Sequence, residues 1–375
     1  GGAINMNELI SSALDRLLNQ GQQSPPGLVF GLSIKGERKI IALGDRQLFG
    51  VDSALPMTAD TSFDLGSITK VLATTAGLMR LIDSGGISLG DKVSKFLGEW
   101  SDTDKEEIVI KDLLLHRSGL WEWRPLYINV QDPAEVIKQI AAMPLRYLVN
   151  QGRHYSDLGF ISLGQILTTV AGESLRTTAS TLVFEPLQMR RTQFAQPIAN
   201  SPVAATSFGD LIEKQMVESK VPYPVPEDAK NFSKWRSHVL VGEVNDGNAF
   251  HIFGGVSGHA GLFASAEDLL QFGEALNSSL KGEGIFSQSV AQDFFAVGPD
   301  VGQRLGFRSW SDTYNGCTTE FIGHTGFPGT VFASAPSHNC VVVLLTNRLH
   351  VEGVPTSTEE LWQPVMNAIH QVLHG

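Results

Sequence analysis

A serine hydroxyl and a lysine amine stand three residues apart in the stretch SITK, as Ser67 and Lys70. Apolar residues recur at helical intervals from Ser67 to about Ser84, and two glycines end the run, so the pattern predicts a helix that begins at Ser67. On a helix, side chains three residues apart share one face. A serine hydroxyl must lose its proton as it attacks a carbonyl, and a desolvated lysine can accept that proton. The pair therefore predicts acyl transfer through a serine nucleophile.

The Ser-x-x-Lys motif alone leaves a structural explanation of Ser67 open. Ser67 would also suit the N-cap of an amphipathic helix, because a serine oxygen accepts a hydrogen bond from the first turn. A second Ser-x-x-Lys match, Ser278 with Lys281, falls late in a predicted polar helix or at its end. Other segments must decide between these possibilities.

Two later segments carry groups that could act on the same substrate. Tyr155 lies in RHYSDLGFISLGQIL just before a predicted helix, so its phenol could project from a loop into a cleft and move protons. His324, Thr325 and Gly326 lie between a β-type run and the turn FPG, where a glycine lets the backbone approach a substrate closely. A buried structural tyrosine and a core histidine are the alternatives.

These segments together carry a family resemblance. The stretch FDLGSITKVLATTAGLMRLIDSGGISLGDKVSKFLG resembles the nucleophile helix of serine β-lactamases and penicillin-binding proteins, especially their class C-like relatives. Those proteins carry Ser-x-x-Lys, then Tyr-x-Asn or a variant, then Lys- or His-Thr-Gly, in that order. The resemblance extends over nearly the whole chain, including LLLHRSGL and GGVSGHAGLFASAEDLLQF.

The resemblance implies a role for each motif residue. Ser67 is the acylated nucleophile, and Lys70 and Tyr155 handle its proton. The backbone N–H groups of Ser67 and Phe327 form an oxyanion hole, which stabilises the charge that develops in acyl transfer. Asp157 replaces the usual asparagine, which contacts substrate and the lysine. A carboxylate there is expected to hold Lys70 charged, which limits Lys70 as the sole base.

The third motif begins with His324, where a lysine is commoner in the family. His324 is largely neutral near pH 7, so we expect no fixed positive charge where a β-lactam or peptide carboxylate would lie. Together with Thr325 and Gly326, it is expected to line the substrate cleft. Peptidase, amidase or esterase activity is therefore expected over strong β-lactamase activity.

A Gly-rich segment, GEVNDGNAFHIFGGVSGHAGLF, resembles the corresponding segment of cell-wall-recycling N-acetylmuramoyl-L-alanine amidases in the same superfamily. Their usual pattern is Gly-Glu-Val-His-Asp-Glu-Asn, and here Asn245 and Gly247 replace the histidine and one acidic residue. Glu243, Asp246 and His259 are candidates for binding substrate from this loop. Hydrogen bonds that stabilise the loop are the alternative.

The pattern of elements predicts an α+β fold of the β-lactamase/transpeptidase type, an antiparallel sheet flanked by helices with an inserted helical lobe. Strands are expected near both ends of the chain, and the middle is mostly short helices and loops. The whole chain, 1–375, is expected to form a single catalytic domain. Its sheet lobe comprises approximately 1–86 plus 265–375, and its mainly helical lobe 87–264.

The composition of the chain argues against several classes of binding partner. The net charge of −11 argues against a nucleic-acid partner, and no apolar run is long enough to span a bilayer. No metal-binding or nucleotide-binding motif occurs, so no cofactor or metal is predicted. Cys317 and Cys340 are expected to be buried thiols, with a mutual disulfide as the alternative. The resemblance favours a periplasmic or secreted protein, a cytoplasmic location stays open, and oligomeric state is not predicted.

The predicted function is hydrolysis of an amide or ester through an acyl-enzyme on a small-molecule or peptide substrate. A peptidoglycan-derived or D-amino-acid-containing substrate is expected. The alternatives are a carboxylesterase on small acyl esters, a weak β-lactamase, and a non-catalytic sensor of wall fragments.

Overall fold

The structure is a computed structural model that describes residues 5–21, 23–195 and 200–375. Within these ranges the strands are β1 Gly27–Ile34, β2 Glu37–Gln47, β3 Leu55–Pro56, β4 Phe63–Asp64, β5 Gln193–Phe194, β6 Leu262–Ala264, β7 Arg308–Tyr314, β8 Cys317–Gly326, β9 Thr330–Ala335 and β10 Cys340–Thr346. The helices are α1 Met6–Leu18, α2 Ala76–Asp83, α3 Ile110–Leu114, α4 Pro133–Ala142, α5 Asp157–Ala171, α6 Leu175–Ala179, α7 Leu211–Ser219, α8 Gly247–Phe253, α9 Ala266–Ser279, α10 Gln288–Phe295 and α11 Thr358–His374.

A sheet of seven strands is the centre of the fold, in the order β3-β2-β1-β10-β9-β8-β7. Every neighbouring pair in it is antiparallel. The first three strands in this order come from the start of the chain and the last four from its end. The predicted α+β fold with an antiparallel sheet is confirmed.

Helices cover both faces of this sheet, as the alternation along β10 shows. Val341, Val343 and Leu345 belong to the core cluster that contains α9 residues, whereas Val342 and Leu344 pack with α1 and α11. Successive side chains of a strand point to opposite faces, so a strand covered on both sides is apolar throughout. The strand is therefore packed on both faces, and β9 pairs with it on one edge and with β8 on the other.

The predicted nucleophile helix is present but does not start as a regular α-helix. A 3-10 turn over Gly66–Ile68 passes into a π-helical segment over Lys70–Thr75, and α2 follows. Wide π-helical turns are uncommon and occur often at functional sites. No side-chain cap hydrogen bond is recorded at this helix start. The N-cap explanation of Ser67 therefore has no geometric support.

A second, three-stranded sheet links distant parts of the chain beside the nucleophile. Strand β4 ends three residues before Ser67, and it pairs with β6, which in turn pairs with β5. Such short strands leave no periodicity in the sequence. This sheet ties the nucleophile turn to the Gly-rich segment before β6.

The elements between 87 and 264 are mainly helices and loops, with β5 and β6 as their strands. The lobe boundaries themselves remain a prediction. No single helix in the described ranges passes the length and hydropathy criteria for crossing a membrane. Helix α5 and the segment Leu175–Phe184 pass them only as a pair bent by 80°.

The two cysteines do not pair. Cys340 is buried in β10, as expected, but Cys317 is exposed, so the expectation of a buried thiol is wrong for Cys317. Cys317 is the first residue of β8 and follows the hairpin turn from β7, where the chain faces solvent. The predicted alternative of a mutual disulfide is not formed.

Candidate active site

Ser67 and Lys70 lie together as their spacing predicts. Lys70 Nζ donates a hydrogen bond of 2.8 Å to Ser67 Oγ. Ser67 is partly exposed, whereas the lysine is fully buried. The hydroxyl is thus open to a substrate, and the amine approaches it from the protein side.

Lys70 is held by a carboxylate from a distant part of the chain. Its Nζ donates to Asp157 Oδ1 at 2.7 Å and, at 3.4 Å, to the backbone oxygen of His259. Burial disfavours the lysine's charge, but Asp157 and Tyr155 outweigh it and raise the pKa of Lys70. Lys70 is therefore charged in the free protein, as the replacement of asparagine by Asp157 predicts.

Tyr155 contacts both other motifs. Its ring centroid lies 4.8 Å from Lys70 Nζ and 5.8 Å from that of His324. On its far side, His116 lies 4.6 Å away, centroid to centroid, and accepts a hydrogen bond from the backbone of Ser156. Burial, aided by nearby cations, lowers the pKa of His116 well below its usual value, so His116 stays neutral. These contacts support a structural role for His116 beside Tyr155.

The third motif lies at the end of β8, but its histidine faces inward. His324 is 2% exposed, and its Nδ1 donates to the backbone oxygen of Thr325 at 2.7 Å. Burial and the nearby charge of Lys70 lower the pKa of His324 well below its usual value. His324 is therefore neutral near pH 7, as expected.

A fixed positive charge nevertheless lies beside this motif, which corrects the expectation that there is none. Arg308 on β7 donates a hydrogen bond of 2.9 Å from Nη1 to Thr325 Oγ1. Arg308 is paired with Gly323 across the β7–β8 ladder. Sequence reasoning missed it because a neighbouring strand, not the motif, supplies the guanidinium. A carboxylate bound near Thr325 would meet this charge.

The turn that follows β8 lies against the residue before the nucleophile. A Cβ added to Gly66 would lie 2.6 Å from Pro328 Cδ and 3.3 Å from the backbone nitrogen of Phe327. The turn after β8 therefore packs directly against the residue before Ser67. The N–H of Phe327 makes no backbone hydrogen bond in the turns and loops of the described ranges. The expected oxyanion hole fits this arrangement and remains a prediction.

We predict that Gly66→Ala lowers kcat/KM about a hundredfold, the usual scale for losing one oxyanion donor. Gly66 has a φ of +53°, which disfavours alanine, and the new Cβ would push the Phe327–Pro328 turn away. The control is Gly90→Ala, because a Cβ on exposed Gly90 would meet nothing within 4 Å. Steady-state hydrolysis of a nitrophenyl ester measures kcat/KM for both variants. Equal activity of the two variants would contradict this placement of the hole.

The Gly-rich segment lies under and beside the nucleophile. His259 is 1% exposed, and its ring contacts Ser257 Oγ at 2.8 Å and Asp246 Oδ2 at 2.6 Å. Buried in this way, His259 is positioned to act through Asp246 and through the backbone oxygen that faces Lys70. Asp246 faces the cleft, whereas Glu243 contacts the exposed His238.

A cavity of about 500 Å³ opens beside the nucleophile. Ser67, Tyr155, Asp157 and Phe327 line it, together with residues from the stretch 207–246. Asp64, another lining residue that sequence reasoning missed, accepts hydrogen bonds from the backbone of Gly66 and of Asn245. Burial, countered by those bonds, raises the pKa of Asp64 to about 6.

Three side chains of metal-binding type lie close together under this cavity. Ligand atoms of Asp157, Asp246 and His259 are all within 4.8 Å of one another. The ammonium of Lys70 is hydrogen-bonded to Asp157. Burial would raise the pKa of Asp246, but its contact with His259 and, less strongly, the charge of Lys70 lower it. Lys70 is thus the ion-pair partner of Asp157, and His259 is the partner of Asp246.

Comparisons with known proteins agree with this site. The family model described as Beta-lactamase matches residues 14–363. An N-acetylmuramyl-L-alanine amidase from Bacillus subtilis is 30% identical over 319 residues, 78% of this chain and 69% of that protein. A putative D-alanyl-D-alanine carboxypeptidase from Escherichia coli is 27% identical over 325 residues, 80% of this chain and 72% of that protein. The solved structure of EstCE1, a hydrolase with promiscuous acyltransferase activity, shares the fold with a TM-score of 0.72 at 22% identity, covering 97% of this chain and 98% of that one.

Proposed function

The chain belongs to the Beta-lactamase family, a family of hydrolases, and from that premise we propose that it cleaves an amide bond in a peptidoglycan-derived or D-amino-acid-containing substrate. The observation that carries the proposal is the contact of Ser67 Oγ with Lys70 Nζ beside Tyr155 in an open cavity. Amidase and carboxypeptidase are the names of the relatives above, and they support an amide over an ester. Such a substrate favours a periplasmic or secreted location.

The reaction has two steps. In acylation, Ser67 Oγ bonds to the substrate carbonyl carbon, the carbon–nitrogen bond breaks, and the serine proton passes through Lys70 and Tyr155 to the departing amine. The N–H groups of Ser67 and Phe327 stabilise the oxyanion. In deacylation, water oxygen bonds to the carbonyl carbon, the bond to Oγ breaks, and one proton of the water returns to the serine.

The raised pKa of Lys70 shapes the first step. Lys70 must give up a proton before it can accept one from Ser67, and Asp157 opposes that loss. Tyr155 lies next to both groups and can relay the proton to the leaving nitrogen. This relay suits an amide, since a departing amine needs a proton and an ester leaving group needs little help.

The position of Arg308 supports the proposal of a peptide substrate whose free carboxylate lies near Thr325. A guanidinium can form two parallel hydrogen bonds to a carboxylate, which a lone lysine does not. The side chain is partly exposed and lies 4.0 Å from the exposed Glu359, whose place a substrate carboxylate would take. A carboxypeptidase-like substrate would place its terminal carboxylate there.

The test is a panel of muropeptides, D-dipeptides and neutral nitrophenyl esters with the wild type and Ser67→Ala. We expect hydrolysis of at least one amide class by the wild type alone. Turnover of esters without any amide would favour the carboxylesterase. Binding of muropeptides without turnover of anything would favour the non-catalytic sensor.

A further inference from the structure

A partly exposed arginine without an acidic partner lies just before the second motif. Arg153 is two residues before Tyr155, and its Cζ lies 5.7 Å from the centre of the Tyr155 ring. Within the described ranges the Arg153 side chain forms no ion pair, and its one recorded hydrogen bond runs from Nε to Gln303 Oε1 at 2.7 Å. Because that bond uses Nε alone, the two terminal Nη groups keep their donors for another molecule.

A buried glutamine holds this guanidinium in place. Gln303 is 1% exposed, and its Nε2 donates to the backbone oxygens of Arg304 at 2.7 Å and of Phe307 at 3.1 Å. Since the amide nitrogen is engaged with these carbonyls, the side-chain oxygen is the atom that faces Arg153. Gln303 also pairs with Arg308 in an antiparallel bridge. The glutamine therefore brings the two guanidinium groups to the same part of the fold.

The acids whose charges act on these two arginines do not neutralise them. Asp300 is bound by Arg117 through both of its oxygens, at 3.0 and 2.8 Å. Glu359 lies 4.0 Å from Arg308, and its side chain is 66% exposed. Burial, and then the charge of Arg308, lowers the pKa of Arg153, so the two cations repel each other. A bound anion would relieve this repulsion and use the free donors.

Both arginines lie where the proposed reaction releases its leaving group. Tyr155 relays a proton to the leaving nitrogen, and Arg153 lies beside that ring. Arg308 donates to Thr325 Oγ1 at 2.9 Å, where the terminal carboxylate of a peptide is proposed to bind. From its nitrogen, a departing amino acid can extend a side-chain carboxylate by roughly 6 Å. That reach is similar to the 5.7 Å between the Tyr155 ring and Arg153 Cζ.

We propose that the leaving amino acid carries two carboxylates, and that Arg153 binds the one on its side chain while Arg308 and Thr325 bind the terminal one. The inference rests on the proposed amide hydrolysis at Ser67. It narrows the leaving group to an acidic residue such as glutamate. A guanidinium binds a carboxylate through two parallel charge-assisted hydrogen bonds, which the uncharged amide of glutamine cannot form.

The experiment compares dipeptides of N-acetyl-D-alanine that end in glutamate, glutamine or alanine, with the D- and L-forms of the last residue. Glutamine has the size of glutamate without its charge, so this pair separates charge from size. The primary amine of the released amino acid is quantified. We expect kcat/KM to be about ten- to a hundredfold higher for glutamate of at least one configuration than for both other peptides. A ratio of one or less would overturn the inference.

Binding to Ser67→Ala gives a second measurement that does not depend on turnover. Calorimetric titration of this variant with the same peptides measures their dissociation constants. The glutamate peptide should bind at least about tenfold more tightly than the glutamine peptide. Equal binding of the two, or binding of neither, would overturn the inference even where wild type hydrolyses none of the peptides.

Three arginine variants assign the effect to Arg153. Arg153→Gln should reduce the preference for glutamate over glutamine about tenfold, whatever it does to the overall rate. Arg308→Gln should weaken all three peptides, because each has a terminal carboxylate. Arg190→Gln removes an exposed arginine that does not line the cavity beside Ser67, and this matched control should keep the full preference. A glutamate preference that persists in Arg153→Gln would also overturn the inference.

The outcomes separate this inference from the proposed function. Hydrolysis of the glutamate and glutamine peptides with equal efficiency, lost in Ser67→Ala, keeps the serine amidase and removes the second carboxylate site. Hydrolysis that persists in Ser67→Ala removes the mechanism itself. Hydrolysis of esters alone, without binding of any peptide, removes both proposals.

Discussion

Ser67→Ala should lose at least about a thousandfold of kcat while the protein stays folded, because Ser67 Oγ is the hydroxyl that contacts Lys70 Nζ and forms the covalent intermediate in the proposed mechanism. The variant removes one hydroxyl that accepts a single hydrogen bond from Lys70. A bond of this kind contributes about 1 kcal/mol to the free energy of unfolding, so the melting temperature should fall by no more than about 4 °C. Ester hydrolysis and a thermal melt measure both quantities.

The chain provides a matched control for this variant. Ser278 belongs to the second Ser-x-x-Lys match and lies near the end of α9, on a helix unrelated to the cavity. Ser278→Ala should retain full activity. Retention of most activity by Ser67→Ala, with Ser278→Ala unchanged, would show that the attacking group lies elsewhere.

Lys70→Ala should lose at least about a hundredfold in rate, the usual scale for removal of a general base. The variant also removes the charge that Asp157 binds at 2.7 Å, so its folding must be checked by a thermal melt. Lys70→Arg distinguishes the two roles of the lysine. Arginine keeps the charge but does not give up its proton, so a base role predicts that Arg fails to restore the rate.

The test of Lys70 has a control variant and two outcomes that would contradict a base role. Lys281→Ala, an exposed lysine of the second motif match, should leave the rate unchanged. A loss of tenfold or less in Lys70→Ala would move the base role to Tyr155. Restoration of the rate by Lys70→Arg would show that the lysine acts through its charge alone.

Much of the fold could be predicted because its strands are apolar and periodic. The runs that became β1, β9 and β10 contain consecutive buried residues, and the helical spacing at the C-terminus became α11. Strand β7 was missed, since its residues are polar and only partly buried along an edge. The two- and three-residue strands beside the nucleophile were missed because they are too short to show a period.

The site residues also differ in whether a local sequence pattern reveals them. The three motifs that the structure brings together, at Ser67, Tyr155 and His324, keep a local sequence pattern. Arg308 and Asp64 have none, because each reaches the site through a strand pairing or a backbone contact with a residue far along the chain. Such contacts depend on tertiary packing, which spacing in the sequence does not encode. The burial of His259 could not be predicted for the same reason.

The central claim is that Ser67 forms a covalent acyl-enzyme, and intact-protein mass after exposure to a fluorophosphonate or β-lactam probe tests it most directly. Wild type should gain the mass of one probe residue per chain, located by peptide mapping on the peptide that contains Ser67. Ser67→Ala should gain none, and Ser278→Ala should gain the same mass as wild type. An adduct that persists in Ser67→Ala, or a folded wild type that neither probe nor substrate ever acylates, would contradict the account.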